Sequence, residues 1–193
     1  QVQSINAQAF IISPSIRGEM PIETINELRA KEAMISADAQ GFIRIRRPDH
    51  RLEHVAWPEQ ERVLALIDIL KADIVEAEAL TGETEMERAA RALAAQGPSE
   101  VIITHRDGIF LLADGTVFEA EFHARSMEGR SGRGDTCVGS YVASRLDLPP
   151  EEAIYWSAAT TSLKLEAPGP IRRSYEEVVD LVENTFKGAH SLS

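Results

Sequence analysis

The densest candidate for chemistry is a polar, glycine-rich segment at residues 129–139, which reads GRSGRGDTCVG. The apolar stretch that follows, from about residue 136 to residue 146, predicts a helix. Glycines let the backbone adopt positive φ and approach a ligand closely. The first N–H groups of a helix have no acceptor within the helix, and the helix dipole favours negative charge at this end. The segment is therefore typical of a phosphate-binding loop.

Asp135 lies where this loop meets the predicted helix, and its carboxylate has two interpretations. In the first, the side chain only caps the helix, which is a common role for aspartate. In the second, the carboxylate is a general base held beside a transferred phosphate. The residue types alone leave both interpretations open.

Two familiar phosphate-binding motifs are absent from the sequence. It contains no GxxxxGK[ST], which excludes a P-loop protein. The loop is not a GxGxxG after the first strand either, so a dinucleotide enzyme has little support. Arg133-Gly134-Asp135 also spells the tripeptide of cell-adhesion ligands, but the apolar helix that follows argues against an exposed extracellular loop.

The elements that must position this loop alternate between apolar runs and amphipathic stretches. This alternation predicts an α/β fold in which helices flank a mostly parallel sheet. Asp114-Gly115 is a strong signal for a hairpin between strands 109–113 and 116–119. Other buried strands are expected at residues 9–13, 33–37, 74–75 and 101–104. Helices are expected at residues 21–31, 58–70, 85–96, 136–146, 150–165 and 175–186, with a short one ending at Gly82.

Composition bounds the function classes. Lysine and arginine number 20 and aspartate and glutamate 31, so the net charge is −11, which argues against a nucleic-acid or anionic-membrane partner. No run of about 18 apolar residues suggests a membrane span. No signal peptide is visible, although the sequence starts at Gln1, and the expected compartment is the cytoplasm. The single cysteine, Cys137, excludes an internal disulfide and is expected to be a small buried residue.

One basic cluster interrupts this acidic composition. Residues 42–47 alternate apolar and basic side chains, which predicts a strand with one buried face. We interpret the cluster as part of a solvated strand pair rather than as a polyanion site. Its members are Arg44, Arg46, Arg47 and Arg51.

The glycine-rich loop resembles a family signature. Residues 132–136, followed by Gly139, are similar to the second signature of the PfkB/ribokinase family, DTxGAGDxFxxG. The resemblance implies that Asp135 is the catalytic base and that the amides of Gly132, Arg133 and Gly134 form an anion hole for the γ-phosphate. The sequence departs from the signature at Gly129-Arg130, where Asp-Thr is usual, at Arg133, where alanine is usual, and at Ser140. Arg133 would add positive charge near the phosphates.

A second segment, residues 71–82, is similar to the PNxxEaexLtG segment of the same family. The resemblance implies that Glu76 helps to hold magnesium, chiefly through water, with Asp73 where asparagine is usual. Aspartate is a good ligand for a hard cation, so magnesium binding is expected to survive this change. Without the resemblance, the carboxylates here would only be favoured by a helix dipole.

Nucleotide-binding residues are also implied by the resemblance. Residues 101–108 resemble the family's vvvTlGxxG strand and turn, in which Thr104 and Gly108 match and His105-Arg106 replaces the usual Leu-Gly. In the family, late helices and a glycine after them form the adenine pocket, which places Lys164 and Gly169 near the nucleotide. Lys164 has the alternative interpretation of a solvated helix lysine.

Together these matches imply a ribokinase-like, three-layer α/β/α fold, which is Rossmann-like, with residues 1–193 as a single domain. The implied function is ATP- and Mg2+-dependent phosphorylation of a hydroxyl on a small sugar, polyol or nucleoside. Residues 37–44 also look like a DxQGfxR segment of some sugar- and inositol-kinase-like members.

The match covers the later two thirds of a typical family member. The N-terminal portion, with its GG signature, acceptor-binding aspartate and lid strands, is expected to be absent. The alternative function is therefore an impaired nucleotide-binding remnant with a regulatory or subunit-interaction role. A homodimer is left open.

Overall fold

The computed structural model describes residues 2–186. The strands are β1 Ala9–Ile12, β2 Met34–Asp38, β3 Arg44–Arg46, β4 Leu52–His54, β5 Ile69–Asp73, β6 Glu100–Thr104, β7 Gly108–Ala113 and β8 Thr116–Glu121. The α-helices are α1 Ile22–Arg29, α2 Gln40–Ile43, α3 Gln60–Leu64, α4 Ile74–Thr81, α5 Met86–Ala94, α6 Arg133–Arg145, α7 Pro150–Leu165 and α8 Tyr175–Leu181. A 3₁₀ turn, Val2–Ser4, precedes β1, and a π-helix, Val182–Phe186, continues α8.

Six strands form one sheet in the order β1-β2-β5-β6-β7-β8. The pairs β1–β2, β2–β5 and β5–β6 are parallel, so the predicted mainly parallel sheet is confirmed. β7 and β8 are joined at Asp114-Gly115, whose φ angles of 47° and 81° suit a type I′ hairpin turn. The predicted hairpin is confirmed as well.

The chain forms two compact units. The N-terminal unit consists of the residues up to His105 together with Phe110–Val117, and its core includes Ile35, Leu70 and Ile103 on the central strands. The C-terminal unit consists, within the described residues, of Arg106–Ile109 and residues 118–186. In this second unit α6 packs against α7, and Cys137 is fully buried, as predicted.

The region between residues 58 and 75 differs from the prediction. The helix predicted over 58–70 ends at Leu64, and the strand predicted at 74–75 lies instead at Ile69–Asp73. Apolar side chains such as Leu70 would be buried in a helix or in a strand, so their spacing does not distinguish the two conformations. The strand is formed because β5 pairs in register with both β2 and β6.

The start of α4 explains why residues 74–75 are helical. Asp73 is the N-cap, and its carboxylate accepts from the Glu76 N–H while the Glu76 carboxylate accepts from the Asp73 N–H. This capping box begins the helix at Ile74. Ile74 and Val75 are 41% and 58% exposed, which a buried strand would not allow. The helix ends at Gly82, as predicted.

The basic cluster lies on a separate antiparallel pair, β3–β4. Arg47 bonds to Glu53 and Arg51 to Asp49, and these side chains are 46–82% exposed. The interpretation as a solvated strand pair is confirmed. The strand predicted over residues 42–47 is shorter, because Phe42 belongs to α2 and lies buried against Trp57.

Among residues 2–186, no helix combines the length and the apolar character that crossing a bilayer requires.

Candidate functional site

The glycine-rich loop ends at the N-terminus of α6. Gly132 is the N-cap residue, with a left-handed φ of 79°, and no side chain caps the helix. The helix therefore begins at Arg133, three residues earlier than predicted. Asp135 lies in the first helical turn and is exposed. The interpretation of Asp135 as only a cap is wrong, because glycine occupies the capping position.

The amides around Asp135 lie at the positive end of the helix dipole. The Arg133 N–H is 3.4 Å from the Arg130 carbonyl, which is a weak contact, and the Thr136 N–H donates to the Gly132 carbonyl at 3.0 Å. The amides of Gly134 and Asp135 lie between these two and, as first-turn amides, have no helical acceptor. An anion could satisfy them. The anion hole at residues 132–134 stays a prediction. The Asp135 amide lies in the same helical turn as these residues.

Lys164 fixes the start of the loop. Its Nζ donates to the Gly129 carbonyl at 2.6 Å and lies 3.5 Å from the Ala167 carbonyl, and the residue is only 2% exposed. The Gly129 N–H donates to the Leu165 carbonyl at 2.8 Å. The alternative of a solvated helix lysine is wrong, and the nucleotide-binding role of Lys164 stays a prediction.

This anchoring role was missed from the sequence, although a lysine within an apolar helix was a signal for it. A Cβ added at Gly132 would lie 3.6 Å from Lys164 Cε, so the ammonium stem borders the loop as well.

The other predicted nucleotide residues are explained in part by packing. Thr104 is 1% exposed and ends β6, in register with Asp73 of β5. A Cβ at Gly108 would lie 2.4 Å from the Ala120 carbonyl, so β8 requires glycine there. Gly169 is exposed and has a φ of 84°, which favours glycine. Their contacts with a nucleotide stay predictions.

A cavity of about 300 Å³ lies in the C-terminal unit. Its lining is mostly charged or polar, and neither Lys164 nor Gly169 belongs to it. Glu166 and Arg173 form an ion pair there at 2.7 Å. The lining residues are His123, Arg125, Leu163, Glu166, Arg173, Glu177, Asp180, Leu181 and Asn184.

The predicted magnesium residues belong to a charge cluster in the N-terminal unit, in which Glu76 is buried and Asp73 is half-buried. Glu76 is 2% exposed, and its Oε2 accepts from the Asp73 N–H at 2.7 Å. Lys71 Nζ lies 3.8 Å from the same oxygen and 3.0 Å from Asp38 Oδ2. Sequence reasoning missed Lys71 and Asp38 as site residues, although charged side chains within apolar strands were a signal for them.

Burial and the neighbouring charges shift the pKa values of Glu76 and Lys71 in opposite directions. Burial raises the pKa of Glu76 to about 7, although the Lys71 ammonium partly offsets this effect. Burial alone would lower the pKa of Lys71, but the carboxylates of Asp38 and Glu76 outweigh it and raise this pKa above its ordinary value. The lysine therefore stays charged.

The cluster fits a hydrated cation better than a metal held by protein ligands alone. Within residues 2–186, no group of three or more histidine, cysteine, aspartate or glutamate side chains is placed to hold a metal ion. Asp73 and Glu76 each use one carboxylate oxygen in the capping box, which leaves Asp73 Oδ2 and Glu76 Oε1. Two such oxygens suit Mg2+, which keeps several waters and takes further oxygens from phosphates.

The raised pKa of Glu76 predicts a pH-dependent stability. The folded chain binds an extra proton between pH 4.5, the ordinary pKa, and about 7. Its free energy of unfolding should therefore fall, relative to that of Glu76→Gln, as the pH rises through this window. Urea unfolding of both proteins with EDTA at several pH values checks this. Parallel profiles would show that the pKa of Glu76 is not raised in the folded state.

Comparison with known proteins gives this geometry a context. Residues 6–177 match the pfkB family carbohydrate kinase. No curated protein matches the chain.

Solved structures match it over nearly its whole length. One is a pyrophosphate-dependent kinase in the ribokinase family complexed with a pyrophosphate analog and myo-inositol, at 36% identity and a TM-score of 0.85, over 93% of this chain and 65% of that one. Another is a pyrophosphate-dependent myo-inositol-1 kinase converted into a myo-inositol-3 kinase, at 35% identity and a TM-score of 0.86, over 95% and 66%.

A third match, a ribokinase from Arabidopsis thaliana complexed with ribose and ATP, has 21% identity and a TM-score of 0.74 over 92% of this chain and 56% of that one. It shares the fold, and the predicted ribokinase-like α/β/α architecture is confirmed. The chain spans slightly less than two thirds of the length of the two pyrophosphate-dependent kinases. Since the family match covers most of its residues, the chain belongs to the pfkB family of carbohydrate kinases.

Proposed function

We propose that this chain carries the phosphoryl-transfer site of a kinase that phosphorylates a hydroxyl of a small polyol of the inositol type. The observation that carries the proposal is the first turn of α6, where Asp135 is exposed and the amides of Gly134 and Asp135 have no acceptor within the helix. Myo-inositol is bound by a relative that is 36% identical, which supports a polyol over a nucleoside.

In this proposal the chemistry is mainly positioning and charge neutralisation. The acceptor's hydroxyl oxygen bonds to phosphorus while the donor's P–O bond breaks and its remaining phosphate leaves. The Asp135 carboxylate takes the proton from that hydroxyl. The first-turn amides of α6 stabilise the charge on the transferred group. Magnesium would neutralise charge on the donor phosphates, and Asp73 and Glu76 are the residues that would hold it through water.

The sequence resemblance predicts ATP as the donor, but we propose inorganic pyrophosphate. The solved structures above 30% identity to this chain are of pyrophosphate-dependent kinases. Arginines at positions 106, 130 and 133 replace the small or polar residues usual in the family, and Arg106 and Arg130 are exposed. A donor without a base has only its phosphates to bind, so added positive charge favours it.

A donor comparison tests this function. The chain, and any longer protein that contains it, would be incubated with Mg2+, myo-inositol and either pyrophosphate or ATP, and products followed by ³¹P NMR. We expect orthophosphate and an inositol phosphate from pyrophosphate, at a rate about 10-fold or more above that with ATP. Turnover with ATP alone would show that the donor assignment is wrong.

Calorimetry with each donor distinguishes an active kinase from the alternative function, an impaired nucleotide-binding remnant. Magnesium-dependent donor binding without turnover, in the chain and in any longer protein that contains it, would favour the impaired remnant with a regulatory role. Reactions without myo-inositol are the control, because they measure donor hydrolysis by water.

A further inference from the structure

Lys71 and Asp38 form a buried ion pair that the proposed reaction does not use. They are partners across the parallel strands β2 and β5, and Lys71 Nζ lies 3.0 Å from Asp38 Oδ2. The residues are only 5% and 4% exposed. Asp38 Oδ1 accepts from the Gln40 N–H at 3.0 Å, which fixes the carboxylate from the other side.

This pair contacts Glu76 through one oxygen only. Lys71 Nζ lies 3.8 Å from Glu76 Oε2, which is also the oxygen that accepts from the Asp73 N–H. Oε2 therefore has the Asp73 N–H as its hydrogen-bond donor and the Lys71 ammonium as a longer charge contact, and within the described part of the chain no donor holds Oε1. The orientation of the Glu76 carboxylate is set by these two contacts.

Stability alone does not account for such a cluster. Desolvating charged groups is expensive, and an apolar pair of similar volume is often as stable as a buried ion pair or more so. The Lys71 ammonium lies 3.0 Å from the Asp38 carboxylate and 3.8 Å from that of Glu76, and Asp73 caps the helix beside them, so carboxyl groups outnumber the ammonium in the cluster. A site of this kind attracts a hydrated cation.

We propose that Lys71 and Asp38 are positioning residues, which hold Glu76 Oε2 so that Oε1 remains available to the magnesium of the phosphoryl donor. This inference rests on the proposed function. Lys71 supplies the contact to Glu76, and Asp38 holds the ammonium in place. Partners that orient a metal-holding group typically change metal affinity by about 10- to 100-fold when they are removed.

The test is calorimetric binding of pyrophosphate at increasing Mg2+ concentrations, without an acceptor, so no turnover is needed. Lys71→Met should raise the Mg2+ concentration for half-maximal binding by about 10-fold or more. Lys71→Arg keeps the positive charge and should restore most of the affinity. If Lys71→Met alone does not fold, the double variant Asp38→Asn/Lys71→Met decides, because it removes both buried charges and should still show the raised midpoint.

Arg29→Met is the control. It breaks the ion pair between Arg29 and Asp68, in which Arg29 Nη1 lies 2.8 Å from Asp68 Oδ1. Asp68 directly precedes β5, so this pair lies at the opposite end of the strand from Asp73 and Glu76. It should lower stability without moving the magnesium midpoint.

A double variant with the wild-type midpoint would overturn the positioning role while leaving the proposed function intact. A wild-type chain that binds neither pyrophosphate nor ATP with magnesium, alone or within a longer protein that contains it, would overturn the proposed function and this inference together.

Discussion

Asp135→Asn should lower the turnover number by about 10²-fold or more, the usual contribution of a positioned general base. Asparagine keeps the size and most of the polarity of the side chain but cannot accept the hydroxyl proton. The donor should bind with nearly wild-type affinity, because the first-turn amides of α6 are unchanged. Steady-state kinetics with myo-inositol, together with calorimetry for pyrophosphate, measures both quantities on the chain or on a longer protein that contains it.

The structure also specifies what Asp135 should not do. Because Gly132 is the N-cap, Asp135→Ala should change the free energy of unfolding by only about 0.5 kcal/mol, as for an ordinary surface site. Asp147→Asn, an exposed aspartate after the C-terminus of α6, is the matched control and should leave turnover unchanged. Full turnover in Asp135→Asn would show that another group accepts the proton.

Local signals in the sequence were sufficient where one conformation was favoured. Asp114-Gly115 determined the hairpin, since both residues readily adopt positive φ. The glycine-rich loop followed by an apolar stretch located α6 to within three residues. The remaining difference arose because Gly132 adopts the left-handed conformation and starts the helix at Arg133.

Elsewhere the decisive information is long-range. The side chains of Ile67 and Leu70 fit a helical spacing, and only the pairing of β5 with β2 and β6 makes Ile69–Asp73 a strand. The same pairing brings Lys71 opposite Asp38. Charged residues are usually exposed, so a charged side chain among apolar residues is a signal of burial, but it does not show which partner the side chain meets. The contact of Lys164 with Gly129 is also long-range, because it joins residues 35 positions apart in the sequence.

Gly129→Ala should destabilise the chain and disturb the phosphate-binding loop at once. An added Cβ would lie 2.0 Å from the Ala167 carbonyl oxygen and 2.7 Å from that of Lys164, and both are backbone atoms at the end of α7. The loop would have to move away from α7. This movement would break the bond from the Gly129 N–H to Leu165 and would remove the main partner of the buried Lys164 ammonium.

The expected loss in the free energy of unfolding is about 2–5 kcal/mol, which combines overpacking with a buried donor left unpaired. Pyrophosphate binding should weaken too, because the loop leads directly into the N-cap of α6. Gly139→Ala is the matched control for stability, since a Cβ there meets nothing within 4 Å and alanine favours a helix. Urea unfolding measures the difference between the two variants. Equal stabilities would mean that the loop does not depend on its close contact with α7, and the role of Lys164 as its anchor would then be wrong.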